Sequence, residues 1–190
     1  MRPFITVVSG IPRSGTSLAM QMLVAGGIPA LTDGQRTADD DNPRGYYEFE
    51  RVKALKSDAG WLDEAVGKVV KIIHMLLMEL PAGRTYRVVF VERDLAEVVR
   101  SQAAMLARSG KPGGGLPPER LVAVYEGQLR AVRAWLGSRP DVATLVVPHR
   151  ELIRSPAAQA EAMNAFLGGD LDVAAMTAAV DPSLHRNRSS

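Results

Sequence analysis

Apolar and polar positions along the chain fall into two kinds of block that alternate. Ile5-Thr6-Val7-Val8, Val69-Val70-Lys71-Ile72-Ile73 and residues 87–91 and 142–147 are short β-branched runs; the first is closed by Ser9-Gly10 and the third by Glu92-Arg93-Asp94. Between them the apolar residues recur every three or four positions: Leu18, Met22 and Leu23 after Thr16, then Leu95, Val98, Val99, Met105 and Leu106, then residues 117–136. Strands that are apolar throughout, rather than at every second position, are covered on both faces, as in a parallel sheet packed between helices. The pattern predicts an α/β chain with three layers, a central mostly parallel β-sheet flanked by helices, and one domain over residues 1–190.

Local signals add detail. The first helix is expected to end at Gly26-Gly27, with 28–31 as a short second strand and 32–45, which contains Asp39-Asp40-Asp41 and Asn42-Pro43, as a loop. Phe49, Val52 and Leu55 suggest a helix over 48–56. The runs 69–73 and 87–91 read as central strands, and Asp94 as the N-cap of the helix after the second of them. Residues 110–118, rich in Gly and Pro, read as a loop, and helices are expected at Glu151 and over 156–167.

Composition narrows the chemistry. The 190 residues are 46% hydrophobic and 23% charged, with a formal net charge of +2, a balance that fits neither a disordered polyelectrolyte nor a nucleic-acid coat. There is no cysteine, so disulfides, thiolate catalysis and Cys-based zinc sites are excluded. The three histidines, His74, His149 and His185, do not stand at metal-ligand spacing, and no metal is expected. No apolar run approaches ~18 residues and the N-terminus lacks a leader pattern; neither a membrane nor a nucleic-acid partner is expected, and a cytoplasmic, prokaryote-like setting is the simplest.

The chemistry concentrates in Gly10 to Ser17, Gly-Ile-Pro-Arg-Ser-Gly-Thr-Ser, between the first strand and the first helix. N–H groups at a helix start lack intrahelical partners, and those of Ser14, Gly15, Thr16 and Ser17 are expected to point at one spot above the loop, where the helix dipole favours an anion. A Walker A loop would need Lys where Thr16 stands. Here the cation lies upstream, at Arg13. Arg93 closes the third apolar run, and ligands of open parallel sheets gather at the carboxyl ends of strands, so it should share a rim with Arg13. Ser101 lies about two helical turns beyond Asp94 and can share a ligand with Arg93. The simpler alternative makes Arg93 a surface ion-pair partner of Glu97 and Ser101 a helix filler.

Pro12-Arg13-Ser14-Gly15-Thr16-Ser17 resembles the 5′-phosphosulfate loop of sulfotransferases, in the Arg form of the tyrosylprotein and bacterial branches. Arg93 followed by Ser101 resembles the family's 3′-phosphate element, and Asn42 to Glu48 resembles a segment of its short bacterial members. The resemblance implies a P-loop-type fold and the cosubstrate 3′-phosphoadenosine 5′-phosphosulfate (PAPS), released as PAP. It also implies sulfuryl transfer to a hydroxyl or amine of a small-molecule, carbohydrate or peptide acceptor.

By that resemblance Arg13 stabilises the leaving phosphate and Lys71 is the second cation. A lysine inside an apolar run is also costly unless its head reaches a partner or the rim. The basic segment with Arg186 and Arg188 resembles the element that closes over the 3′-phosphate; an exposed terminal tail is the alternative. Attack by the acceptor calls for a base, and three residues qualify: Glu48, Asp33 and His74. Glu48 ranks above His74, since Lys71 and His74 would sit on opposite faces of a regular strand. Two other functions remain open: a nucleotide-dependent phosphotransferase with a modified loop, with Glu92 ending a Walker B-type strand, and a nucleotide-binding module without catalysis.

Overall fold

The computed structural model describes residues 2–34, 45–108, 110 and 115–181. Its centre is a four-stranded, all-parallel sheet of β1 (Ile5–Gly10), β2 (Val69–Ile73), β3 (Tyr86–Glu92) and β4 (Val142–Pro148) in the order β2-β1-β3-β4. The helices are α1 (Thr16–Ala25), α2 (Leu95–Arg108), α3 (Pro118–Ser138), α4 (His149–Arg154), α5 (Pro156–Leu167) and α6 (Val173–Ala178).

Alternate residues of β1, β2 and β3 feed two separate cores, which is why those strands read as continuous apolar runs, while β4 buries Val142 on one side and Val147 on the other. Ile5, Val7, Val70, Ile72, Val88 and Phe90 pack with Trp61, Leu77, Val98 and Val132 on the face that α2 and α3 cover. Val8, Val69, Val89 and Val91 pack with Met20, Leu23, Met163 and Met176 on the face of α1, α5 and α6. From β1 the chain crosses to β2 on one side and then returns past β1 to β3 on the other. The crevice between the ends of β1 and β3 is thus a topological switch point, where open α/β sheets bind ligands.

The structure corrects three expectations. β2 is an edge strand, not a central one; its apolar content reflects coverage of its faces rather than neighbours on both edges. Residues 28–31 form no strand but one bridge, Ala30 to Val69, flanked by Val69 N–H to the Pro29 carbonyl (2.9 Å) and Leu31 N–H to the Val69 carbonyl (2.8 Å). Pro29 has no N–H to give, so the ladder does not extend. The expected helix over 48–56 is a 3₁₀ turn, Glu50–Ala54, to which three-residue apolar spacing is better matched than to an α-helix. Asp94 caps α2 as expected, accepting the Glu97 N–H at 2.9 Å.

Of the loops, Asp39-Asp40-Asp41, Asn42-Pro43 and part of 110–118 lie outside the described residues. No helix among the described residues is long and apolar enough to cross a membrane.

Candidate anion-binding site

The loop after β1 is the candidate anion site. Gly15 precedes α1 at φ 102°, a left-handed conformation that suits glycine, and no side chain caps the helix. A Cβ at Gly15 would also collide with the ring of His149, at the start of α4 on the same rim. One at Gly10 would stand 2.5 Å from Ser14 Oγ and 2.6 Å from the Val91 carbonyl. The Ser14 N–H, expected to face the ligand, is spent inside the loop on the Ile11 carbonyl at 3.0 Å. Among the described residues the N–H groups of Gly15, Thr16 and Ser17 have no backbone acceptor, and Ser14 Oγ is buried without a hydrogen-bond partner. Such donors cost free energy when left unpaired, so a ligand oxyanion gains what they have to give.

Arg13 has φ 76°, a left-handed conformation that costs a residue with a side chain on the order of 1–3 kcal/mol. Its Nε donates to Ser101 Oγ at 3.1 Å, and its Nη1 lies 3.9 Å from Met105 Sδ, both on α2. Arg93 donates from Nη1 to the Arg13 carbonyl (3.2 Å) and from Nε to Glu97 Oε2 (3.0 Å). The Glu97 pair foreseen as a surface contact is therefore real but not a surface one: the two side chains are only 8% and 15% exposed. Arg93 and Ser101, a strand and a helix away, thus both terminate on Arg13, and Ser101 is itself buried.

Lys71 pairs in register with Val8 on the neighbouring strand and points to the α1 side. Its Nζ donates to Ser17 Oγ (3.0 Å) and to the Tyr46 carbonyl (2.9 Å), and stands 5.9 Å from the centre of the Tyr46 ring. The lysine that seemed misplaced in an apolar run thus ties the first turn of α1 to the Gly45-Tyr46-Tyr47-Glu48 segment. That segment is itself contorted, with Gly45 at φ 87° and Tyr47 at φ 52°.

The three candidate bases separate. Asp33 uses its carboxylate to take the Glu50 N–H at 2.6 Å, capping the 3₁₀ turn, which is a structural employment. Glu48 lies two residues from the carbonyl that Lys71 holds, half-buried, with its own carbonyl bonded by Thr32 Oγ1 at 2.8 Å.

His74 begins the 3₁₀ segment His74–Glu79 and faces α3, on the opposite side of the sheet from Lys71, as their spacing requires. Its Nε2 lies 2.9 Å from Gln128 Oε1, and its Nδ1 is buried with no geometric hydrogen bond among the described residues. Burial holds the ring below the ordinary histidine pKa, with Gln128 and the Gly10 backbone acting the other way. A histidine whose folded pKa is depressed binds fewer protons than in the unfolded chain. Its effect is therefore a loss of stability as pH falls below about 6.5 toward the folded value, and none above. Urea midpoints should decline from pH 7 to pH 5 less steeply in His74→Gln than in the unaltered chain, and parallel curves would show that His74 is not the group responsible.

Residues beyond the two sequence signatures complete the surroundings. A cavity of about 270 Å³ opens beside the loop, lined by Ser14, Glu92, Arg93, Leu95, Leu129 and Arg130 among others. Glu92, the carboxylate a Walker B-type reading would use, accepts from Arg133 Nη2 (2.7 Å) and Nε (3.1 Å). His149 could have been noticed from its place at the end of the last strand; Gln128, Arg130 and Arg133 belong to a helix with no motif. Arg186 and Arg188 lie outside the described residues.

No protein-family model matches the chain, and no curated protein matches it. Among solved structures it is similar to the sulfotransferase domain from the curacin biosynthetic pathway, at 18% identity and TM-score 0.54 over 100% of this chain and 80% of that one. A sulfotransferase from Alicyclobacillus acidocaldarius matches at 16% and 0.54, over 97% and 89%. The sulfotransferase domain of the Synechococcus PCC 7002 olefin synthase matches at 15% and 0.55, over 96% and 86%. At these identities the likeness is one of fold: the chain has the sulfotransferase-type P-loop α/β fold.

Proposed function

We propose that the chain is a PAPS-dependent sulfotransferase, transferring a sulfuryl group to a hydroxyl or amine of a small-molecule, carbohydrate or peptide acceptor. The observation that carries this reading is the convergence of Arg93 and Ser101 on Arg13, which makes the two separated signatures one constellation at the switch point. The donor set suits a nucleotide with anionic groups at both ends: amides of Gly15 to Ser17 and the Ser14 hydroxyl on one side, Arg93 and Ser101 on the other.

PAPS, when bound, supplies an activated sulfuryl group and leaves as PAP. The chain's own residues do the rest. The amides and Arg13 hold the charge on the leaving phosphate, and Lys71, already at the first turn of α1, supplies a second cation there. Glu48, two residues beyond the Tyr46 carbonyl that Lys71 holds, takes the acceptor's proton. His74, on the other face of the sheet, is the second candidate for that role.

Thermal-shift titration tests the cosubstrate. PAP at about 100 times its dissociation constant should add ~2.7 kcal/mol of stability, roughly 5–10 °C for a chain of this size. ADP, ATP and free sulfate should shift it far less. Turnover with PAPS should persist in a chelator. A response to ATP that needs Mg²⁺ would instead favour a phosphotransferase, and PAP binding without transfer to any acceptor would favour a binding module.

A further inference from the structure

The left-handed conformation of Arg13 has to be imposed by its surroundings, because a residue with a side chain does not hold it unaided. Two carbonyls flank the strained position, and both are held. Arg93 takes the Arg13 carbonyl at 3.2 Å, while Gln102 Nε2, on α2, donates to the Pro12 carbonyl at 3.3 Å. The second clamp has its own support: Tyr125, on α3, donates its hydroxyl to Gln102 Oε1 at 2.8 Å. Since the Pro12 carbonyl can only accept, it takes the amide nitrogen of Gln102, and the hydroxyl of Tyr125 holds the amide oxygen at the other end. Neither Gln102 nor Tyr125 belongs to either sequence signature.

We propose that Gln102, oriented by Tyr125, is a positioning residue that holds the Pro12-Arg13 turn left-handed and so presets the amides of Gly15 to Ser17 for an oxyanion. Its effect passes through the backbone, and neither side chain touches the reacting atoms. The proposal rests on reading the loop as an oxyanion site, and it extends the machinery of that site to α3.

The test is a double-mutant cycle with Gln102→Met, which keeps bulk but removes the donor, and Tyr125→Phe, read by PAP calorimetry and by the amide ¹⁵N shifts of Gly15, Thr16 and Ser17 in the free protein. Gln102→Met should weaken PAP about tenfold and Tyr125→Phe about threefold, with those amide shifts moved before any ligand is added. The double variant should be no worse than Gln102→Met alone, because Tyr125 acts only through Gln102. Additive losses, or losses confined to melting temperature with the amide shifts in place, would overturn the proposal.

If the unaltered chain ignores PAP, the donor reading has failed by itself. The same cycle is then read with inorganic pyrophosphate, where the same order of variants sustains the positioning role. A chain that binds neither anion overturns both.

Discussion

Arg93→Ala is expected to abolish the response to PAP, with an affinity loss of about 100-fold, ~3 kcal/mol, as is usual when one partner of a buried, hydrogen-bonded charge contact is removed. The side chain is 8% exposed and already makes two directed bonds, one to the backbone of the loop and one to Glu97. Its removal therefore acts twice, deleting a cation from the site and releasing the carbonyl that keeps Arg13 in its left-handed turn.

Truncation also breaks the ion pair with Glu97, whose side chain is 15% exposed, and removing one partner of such a buried pair costs about 3 kcal/mol. Melting should fall by roughly 6–10 °C, which could be mistaken for the whole effect. The double variant Arg93→Ala/Glu97→Ala separates the two. With both charges gone, most of the lost stability should return while PAP binding stays absent. Recovery of PAP binding in the double variant would reduce Arg93 to a strut for the loop and remove the main support for a 3′-phosphate contact.

The sequence made the strands and the loop legible for one reason: their determinants are contiguous. Three runs covered on both faces announce themselves without knowledge of their neighbours, the largely exposed Val142–Pro148 shows by its β-branched content, and Gly10 to Ser17 carries its own turn, its donors and its cation. Sheet order was not legible in this way. β2 is as apolar as β3 because helices and turns cover its two faces, and nothing in Val69 to Ile73 records that, among the described residues, one of its edges meets only the bridge at Ala30.

The helix expected at 48–56 failed for a related reason. Phe49, Val52 and Leu55 fit a period of three as well as one of 3.6, and the cap that decides the matter, Asp33, lies 17 residues from the Glu50 N–H it binds. Within the site, Arg93 and Ser101 were found because a strand end and a two-turn spacing are local signals. Gln102, Tyr125 and Gln128 were not, since each is tied to its partner across elements far apart in the chain and none stands in a motif. α6 was missed as well: Val173-Ala-Ala-Met-Thr-Ala has no apolar stripe, and its Asp172 cap, which accepts the Ala175 N–H at 2.9 Å, is a signal of one residue.

Lys71→Met should lower kcat with PAPS by about 10²–10³-fold, the usual loss when one donor that stabilises developing charge is removed, while PAP affinity falls much less. Methionine keeps most of the apolar stem that packs beside Val8 and Val69, so the fold should survive and the effect should fall on the head group. That head now joins Ser17 Oγ and the Tyr46 carbonyl, and two roles follow from one position.

If Lys71 serves the reaction through its charge, Lys71→Arg should recover part of kcat, because it restores a cation in a different shape. If it serves only as a tether for Tyr46, the loss should appear in KM and in the order of the Tyr46-Tyr47-Glu48 segment. A neutral donor, Lys71→Gln, should then restore function as well as arginine does. Full activity in Lys71→Met would exclude both roles and leave the ammonium group as the hydrogen-bonded end of an edge-strand side chain.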